Sequence, residues 1–250
     1  MNGLGVVAAL AAESRPLGAP GRGGKEPFPL ADGTLLILSG VGPSAATEGA
    51  RRLAAAGARA LVSWGMAGAL DPALAAGTLV LPTEVISPTG GVFATAPQWR
   101  ERLSAALGAH WPVSFGRLLT SDEPLGSVES KAMAFRETAA VAVDMESSAV
   151  AEIAAAAHMP FLAVRAIVDT AADPVPQAAL AAMTADTGAL RIGHLLAALA
   201  RAPGELPALI RLAGRYRRAR RALTAGARSG AFAAHLPQPC KRWSQGRLDS

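Results

Sequence analysis

The chain has 250 residues, of which 51% are hydrophobic and 17% are charged, so it is long and apolar enough to bury one sizeable core. This composition excludes a disordered polyelectrolyte, and the single cysteine, Cys240, excludes an intrachain disulfide and fits a reducing, cytoplasmic compartment. The net charge of +5 comes mainly from the C-terminal end, where residues 211–221 hold six arginines and no acidic residue.

The N-terminal half of the sequence alternates short apolar runs with alanine-rich stretches. Continuous apolar runs bounded by turn residues are typical of buried strands. Residues 4–12 are too short for a secretory leader and lack a preceding basic segment, and we find no run that would span a membrane. The patterns predict strands at residues 5–11, 34–38, 60–63 and 78–86, and helices at residues 44–56 and 99–107.

The C-terminal half continues this alternation. It contains predicted strands at residues 115–119, 141–144 and 161–168, helices at residues 128–138 and 147–157, and terminal helices at residues 176–200 and 206–224. Such alternation predicts an α/β fold in which a largely parallel sheet carries helices on both faces. We expect one domain over residues 1–202, a basic C-terminal helix over residues 203–226 and a disordered tail over residues 227–250, most clearly from residue 238.

Polar residues interrupt the apolar pattern at several predicted strand ends, where ligands bind in sheets of this kind. Glu13 lies just past the first strand, and residues 39–44 form a glycine-rich link between a strand and a helix. Residues 63–68, Ser-Trp-Gly-Met-Ala-Gly, are a second segment of small residues. The glycines of both segments would let backbone groups approach a flat or anionic ligand, and a tight structural turn is the alternative for each.

Carboxylates follow two of the later strands. Asp144 and Glu146 lie between a strand and a helix, and Asp169 ends the strand that begins at residue 161. We interpret Asp144 as a helix N-cap. A cap or a salt bridge would also explain Glu146 or Asp169 taken singly, and a catalytic role is the alternative for both.

The order and spacing of these segments resemble the nucleoside phosphorylase and nucleosidase superfamily, in particular its methylthioadenosine and adenosylhomocysteine nucleosidases. The most specific part is Asp-Met-Glu-Ser at residues 144–147 followed by Val-Arg-Ala-Ile-Val-Asp at residues 164–169. A closer resemblance, to the hopanoid-associated members, adds residues 63–72, 120–124 and 203–223. The resemblance implies a three-layer fold with a central mixed, largely parallel sheet, and an enzyme that cleaves the N-ribosyl bond of adenosylhopane without a cofactor or metal.

The resemblance also implies roles for individual residues. Asp169 would protonate or hydrogen-bond the five-membered ring of the base, and Glu13 would activate the attacking water. Glu146 would bind the ribose hydroxyls while Met145 packs on the sugar. Paired carboxylates suit this chemistry, because N-ribosyl cleavage passes through an oxocarbenium-like sugar. The other substrate-binding residues would be Met66, Ala67 and Gly68, with Ser121 and Leu125 beside the base.

The chain departs from the nucleosidase pattern at three points. Pro124 and Leu125 stand where those enzymes usually have an aromatic residue that stacks on the base. Met66 replaces a serine, which removes a side-chain hydroxyl. The next acid after Asp169 is Asp173, one residue later than in the pattern, and we assign it no role.

The nucleophile is either water or phosphate. A phosphorylase must hold a dianion, usually with arginines in the loops after the first strands. The only arginine close to Glu13 is Arg15, residues 60–77 contain none, and a glutamate near the reacting carbon would repel phosphate. We therefore expect hydrolysis, with phosphorolysis of the same bond as the alternative.

Two interpretations outside catalysis are also open from the sequence. A non-catalytic nucleoside-binding module would be marked by loss of Glu13, Glu146 or Asp169, and all three are present. Nucleic-acid binding through residues 211–221 is disfavoured, because Tyr216 is their only aromatic residue and no known motif appears.

The basic C-terminal helix has two interpretations. It either packs on the domain with a solvated basic face, or lies on an anionic membrane surface as a peripheral contact. The lipid-linked substrate implied by the resemblance is the reason for the second interpretation, in which the helix lies on the inner membrane. The resemblance further implies a homodimer in which a neighbour closes the 5′ side of the pocket.

Overall fold

A computed structural model describes residues 3–19, 25–176 and 203–231. The tail from residue 238 and nearly all of the helix predicted at residues 176–200 lie outside the described residues. The strands are β1 (Leu4–Ala8), β2 (Phe28–Pro29), β3 (Leu35–Leu38), β4 (Ala60–Ala69), β5 (Leu79–Val80), β6 (Glu84–Ile86), β7 (Val92–Ala94), β8 (Val113–Ser114), β9 (Arg117–Thr120), β10 (Ala140–Asp144) and β11 (Phe161–Asp169). The α-helices are α1 (Ala11–Ser14), α2 (Pro43–Ala55), α3 (Pro97–Leu107), α4 (Val128–Thr138), α5 (Ser147–Ala156) and α6 (Leu206–Arg228).

Local sequence signals explain where several helices begin and end. Pro43 occupies the first turn of α2, where its missing N–H would have no intrahelical partner. The hydroxyl of Ser127 accepts a hydrogen bond from the Ser130 N–H at 3.0 Å and caps α4. Gly57, with φ +93°, turns the chain back after α2.

The strands form one mixed sheet in the order β2-β3-β1-β4-β10-β9-β6-β7, and β11 pairs with both β4 and β5. Parallel pairs join β1 to β3 and β4, β4 to β11, β10 to β9, β6 to β9 and β5 to β8. Four other pairs are antiparallel. The structure therefore confirms the predicted α/β fold with a mixed, largely parallel sheet.

The central strand β4 is the main difference from the sequence-based prediction. The prediction ended this strand at Ser63, whereas it continues to Ala69 and contains the whole segment 63–68. The glycines of this segment therefore do not form a tight turn. Glycine inside a strand marks a place where another group approaches the backbone closely, and such groups are present here.

Other boundaries differ in smaller ways. The apolar run predicted as one strand over residues 78–86 forms β5 and β6, which pair with different neighbours and are separated around Pro82. The first strand ends at Ala8, because residues 11–14 are helical. The short strands β2 and β7 and the single-turn helix α1 have no clear periodicity and were not predicted.

Helices cover both faces of the sheet. On one face, α3 and α6 pack over Leu4, Val6 and Ala8 of β1. On the other face, α2 and α5 pack over Val7 of the same strand. Successive residues of a strand point to opposite faces, so the continuous apolar run of β1 is explained by burial on both sides.

The C-terminal helix α6 has two different halves. Its carboxyl half is part of the core, since Ala219, Ala222 and Leu223 are fully buried and Gly226 lies against the Trp64 ring. Its amino half exposes 47% of Leu206 and 63% of Ile210. No helix in the described ranges is long and apolar enough to cross a membrane.

Candidate active site

Glu13 lies on α1, immediately beyond β1, and its carboxylate is buried and held on both oxygens. Oε2 accepts the Leu10 N–H at 3.1 Å, and Oε1 accepts the Met66 N–H at 2.8 Å. Its backbone carbonyl accepts the indole N–H of Trp64 at 2.9 Å. Burial raises the pKa of Glu13, while the nearby Arg165 and the two N–H groups oppose this shift.

Arg165 is the cation at the centre of the site. It lies in the middle of β11 and is only 2% exposed. Its Nε donates to Asp144 Oδ2 at 2.6 Å and its Nη2 donates to Ser63 Oγ at 2.7 Å. Glu146 Oε2 lies 3.9 Å from Nη2. Burial works to lower the pKa of Arg165, but the surrounding carboxylates outweigh it and raise the pKa above its usual value.

Asp144 ends β10 and organises the entry to α5. Its carboxylate accepts the Ser147 N–H at 3.2 Å and the Thr120 hydroxyl at 2.8 Å, besides the ion pair with Arg165. The N-cap position itself belongs to Glu146. Asp144 lies two residues before this N-cap, but its carboxylate still supports the first turn of α5, as a capping residue would. It also fixes the position of Arg165.

Glu146 faces the glycine-rich loop after β3. Its Oε1 accepts the N–H of Gly42 at 3.0 Å, across 104 residues of sequence. Burial raises the pKa of Glu146 to about 7, and the neighbouring Asp144 carboxylate adds to this shift. Glu146 therefore holds its proton to higher pH than an exposed glutamate does.

Asp169 ends β11, where the register with β4 shifts by one residue between Ile167 and Asp169. Such a bulge re-aims the side chains that follow it, and here it sets Asp169 opposite Gly68. Asp169 Oδ2 is hydrogen-bonded to Nζ of Lys131, a fully buried lysine on α4. Burial raises the pKa of Asp169, and the Lys131 ammonium opposes this shift.

The two glycines of segment 63–68 leave room for these charged groups. A Cβ at Gly65 would lie 2.6 Å from Arg165 Nη1 and 2.9 Å from Glu13 Oε1. A Cβ at Gly68 would lie 3.0 Å from Asp169 Oδ2. The glycines of β4 therefore leave space for the acidic and basic side chains of the site, and the same space can also be used by a ligand.

The structure brings most of the predicted site residues to the carboxyl half of β4. Met66 and Gly68 are partly exposed, Ala67 is buried, and Met145 is half-buried between Asp144 and Glu146. The Met66 N–H binds the Glu13 carboxylate, and Gly68 lies against the Asp169 carboxylate, so this part of β4 lies close to both acids.

Ser121 and Leu125 lie on the loop between β9 and α4. The Ser121 hydroxyl donates to the carbonyl of Glu123 at 2.7 Å, and Leu125 packs beside a small cluster of buried apolar residues. The same loop meets the segment after β11, because the Val175 N–H donates to the Gly126 carbonyl at 2.9 Å. This contact sets the loop beside the chain that follows Asp169.

Two charged residues of the site were missed from the sequence. Arg165 carries a usable signal, since it is a lone charge inside an otherwise apolar strand, and buried charges are rare unless paired. Lys131 carries a weaker one: it lies three residues before Ala134 on the buried side of α4. A lysine at such a position usually extends its ammonium to solvent, so the sequence alone does not indicate burial. Among the residues that the structure describes, no group of three His, Cys, Asp or Glu side chains is arranged to hold a metal.

A family model described as the phosphorylase superfamily matches residues 3–201, well over half of the sequence. The chain belongs to the phosphorylase superfamily. This membership confirms the prediction from the sequence that the chain is an enzyme of the nucleosidase or nucleoside phosphorylase type. Among proteins with curated functions, none matches this superfamily member significantly.

Solved structures of similar fold include three bacterial enzymes. The 5′-methylthioadenosine/S-adenosylhomocysteine nucleosidase of Neisseria meningitidis, in complex with methylthio-immucillin-A, has a TM-score of 0.68 and 21% identity, over 93% of this chain and 99% of that chain. The corresponding nucleosidase of Helicobacter pylori has a TM-score of 0.59 and 20% identity, over 68% of this chain and 86% of that chain. The futalosine hydrolase of H. pylori strain 26695 has the same TM-score and identity, over 68% and 85%. At this identity, the likeness establishes the fold of the superfamily member.

Proposed function

We propose that this superfamily member hydrolyses the N-ribosyl bond of an adenine nucleoside, with water as the nucleophile. The observation that carries the proposal is the buried carboxylate of Glu13, which the N–H groups of Leu10 and Met66 hold in one orientation beside Arg165. A carboxylate fixed in this way can accept a proton from a water that attacks the anomeric carbon. Buried carboxylates also stabilise the positive charge that develops on the sugar.

The reaction distributes its protons between two parts of the site. The bond from the anomeric carbon to the base breaks as a bond from that carbon to the water oxygen forms. Glu13 takes the proton that the water loses, and Asp169, whose pKa burial raises, enters the step protonated and gives its proton to N7 of the departing base. Glu146 accepts hydrogen bonds from the ribose hydroxyls, and Met145 packs on the sugar.

Phosphorolysis of the same bond is the second candidate. A cavity of about 310 Å³, lined by Lys25, Ser39, Gly42 and Ser44, opens at the amino end of α2 and is the place where an anion would enter. Two observations weigh against it. Arg165 is already engaged by Asp144, with Glu146 close by, and Arg15, the arginine nearest to Glu13 in sequence, is exposed.

Product analysis distinguishes the two reactions. The substrates to test are 5′-substituted adenosines, including adenosylhopane. We expect the purified protein to release free adenine and the free 5-substituted ribose from them at the same rate with and without phosphate. Mass spectrometry of the sugar product is the measurement. Strict dependence on phosphate with a ribose 1-phosphate product would replace hydrolysis with phosphorolysis. Failure to cleave any purine nucleoside would refute both.

We further propose that the natural substrate carries a large apolar group on the 5′ side, as adenosylhopane does. We propose that the enzyme is a homodimer and that it works at the inner membrane surface. The resemblance described above supports the substrate and the dimer. The amino half of α6 supports the membrane contact, since it combines exposed Leu206 and Ile210 with arginines. Such a surface complements an anionic leaflet, where each arginine contributes about 1 kcal/mol.

Vesicle co-sedimentation tests this contact with the full-length protein. Truncation before Leu206 would remove core residues of α6, so point variants are the better probe. We expect binding to anionic vesicles at low salt, with a several-fold loss at high salt and in a Leu206→Asp/Ile210→Asp variant. Met133→Asp is the matched control, because Met133 is 51% exposed on α4. Equal binding to neutral and anionic vesicles, or none, would contradict a peripheral contact.

A further inference from the structure

The segment that follows Asp169 is held from two sides. On the buried side, Nζ of Lys131 donates to the carbonyls of Thr170 at 3.0 Å and Asp173 at 2.8 Å, besides its bond to Asp169. On the more exposed side, Nη2 of Arg215 pairs with Asp173 Oδ2 at 2.8 Å. Residues 170–173 are therefore fixed between a buried cation of α4 and a cation of α6.

Asp173 closes this segment into a turn. Its carboxylate accepts the Thr170 hydroxyl, and its N–H donates to the Thr170 carbonyl at 3.1 Å. Burial works to raise the pKa of Asp173, but the hydrogen bonds from Thr170 and Arg215 outweigh it and lower the pKa. Asp173 is therefore charged at neutral pH and can keep both bonds. Arg215 thus holds the turn that directly follows Asp169.

Helix α6 is a firm support for Arg215. A Cβ at Gly77 would lie 3.3 Å from the Cβ of Arg218, so the helix lies directly on the chain that precedes β5. One turn after Arg215, Ala219 is fully buried in the core. The packing of the carboxyl half of α6 therefore sets where Arg215 lies.

The pair of Arg215 and Asp173 is a feature of this chain beyond the superfamily pattern. Arg215 lies outside residues 3–201, which match the superfamily model. Asp173 is the acid that stands one residue later than in the nucleosidase pattern. The two departures meet in one ion pair beside the site.

We propose that Arg215 is a positioning residue for the reaction: through Asp173 it fixes residues 170–173 and so holds the Asp169 carboxyl where the departing base meets it. This inference rests on the proposed function in taking Asp169 as the proton donor. A donor must lie within hydrogen-bond reach of the atom that takes its proton. A misplacement of about 1 Å can lower a rate by about a hundredfold.

Replacement of Arg215 should therefore affect the rate more than binding or stability. We expect Arg215→Met to lower the turnover number by about tenfold on a water-soluble 5′-substituted adenosine such as 5′-methylthioadenosine, without vesicles. The KM should change less than about twofold, because the proton moves only as the bond breaks. The melting temperature should stay nearly unchanged, since the paired side chains are 22% and 25% exposed and solvent screens their attraction. Arg215→Lys keeps a cation for Asp173 and should recover most of the turnover.

The Asp173→Asn variant tests whether Arg215 acts through Asp173. It should lose as much turnover as Arg215→Met, and the double variant should lose no more than either single variant. Additive losses would show that Arg215 acts by another route and would overturn the proposal. Arg221→Met is the matched control, because it removes an exposed cation from the carboxyl half of the same helix. It should keep wild-type turnover, and an equal loss there would assign the effect to the net charge of α6 instead.

Hydrogen exchange tests the same contact without turnover. The N–H groups of Asp173 and Val175 donate to the carbonyls of Thr170 and Gly126. They should exchange several-fold faster in unliganded Arg215→Met than in the wild-type protein or Arg221→Met. Unchanged exchange, or faster exchange with wild-type turnover, would overturn the proposal. If the wild-type protein cleaves no nucleoside, the proposed hydrolysis is refuted by itself, and the exchange result still decides whether Arg215 holds this segment.

Discussion

Replacement of Asp169 by asparagine is expected to lower the turnover number by about two orders of magnitude or more, the usual scale for loss of a proton-transferring group. Asparagine is nearly isosteric with aspartate, but its amide has no acidic proton to give to N7. Single-turnover release of adenine by the purified variant is the measurement. Near-normal release by folded protein would remove Asp169 from the mechanism.

Stability must be separated from catalysis in this experiment. The Asp169→Asn variant leaves the buried Lys131 ammonium without its carboxylate, and an uncompensated buried charge destabilises proteins by about 3–5 kcal/mol. The double variant Asp169→Asn/Lys131→Met removes that charge too. It should recover thermal stability and remain inactive. Recovery of activity together with stability would show that the single variant had failed only by unfolding.

Replacement of Glu13 by glutamine is expected to abolish phosphate-independent release of adenine, with a loss of about two to four orders of magnitude in turnover. An amide does not accept a proton from water at neutral pH. Glutamine also cannot satisfy both backbone donors, since one end of its amide is an NH₂ group that would face the N–H of Leu10 or Met66.

The binding of free adenine provides the control for Glu13→Gln. Glu13 is proposed to contact the water, so the dissociation constant for adenine should change less than threefold, about 0.6 kcal/mol. A large loss of adenine affinity would instead assign Glu13 to the base pocket. Wild-type turnover in Glu13→Gln would leave water activation to another group.

Much of the fold follows from the sequence, because burial leaves a clear pattern. The helix at residues 128–138 and the strand that begins at Phe161 coincide with the predicted elements, since long periodic or apolar runs tolerate few other structures. Short elements such as β2 and β7 contain too few residues for any period to emerge. The central strand β4 was cut short in the prediction because its glycines have the local preferences of a turn, and only the side chains from β11 and α1 explain them.

The candidate site was predictable in part for a related reason. Carboxylates at strand ends, such as Glu13 and Asp169, stand out against apolar surroundings. Their partners do not, because pairing depends on tertiary contacts between residues far apart in sequence. Lys131 and Asp169 are separated by 38 residues, and Gly42 and Glu146 by 104. The same limit applies to α6. The sequence of its carboxyl half is typical of a solvated basic helix, whereas the structure buries its alanines in the core.

The position of Glu146 also couples protons to folding. Because burial raises the pKa of Glu146 to about 7, the folded chain holds a proton between about pH 4.5 and 7 that the unfolded chain has released. The contribution of this group to the free energy of unfolding therefore declines as the pH rises through that window. A ribose whose hydroxyls donate to the charged carboxylate would reverse that loss. A nucleoside whose ribose hydroxyls bind the charged Glu146 carboxylate is therefore expected to raise the melting temperature more above neutral pH than below it.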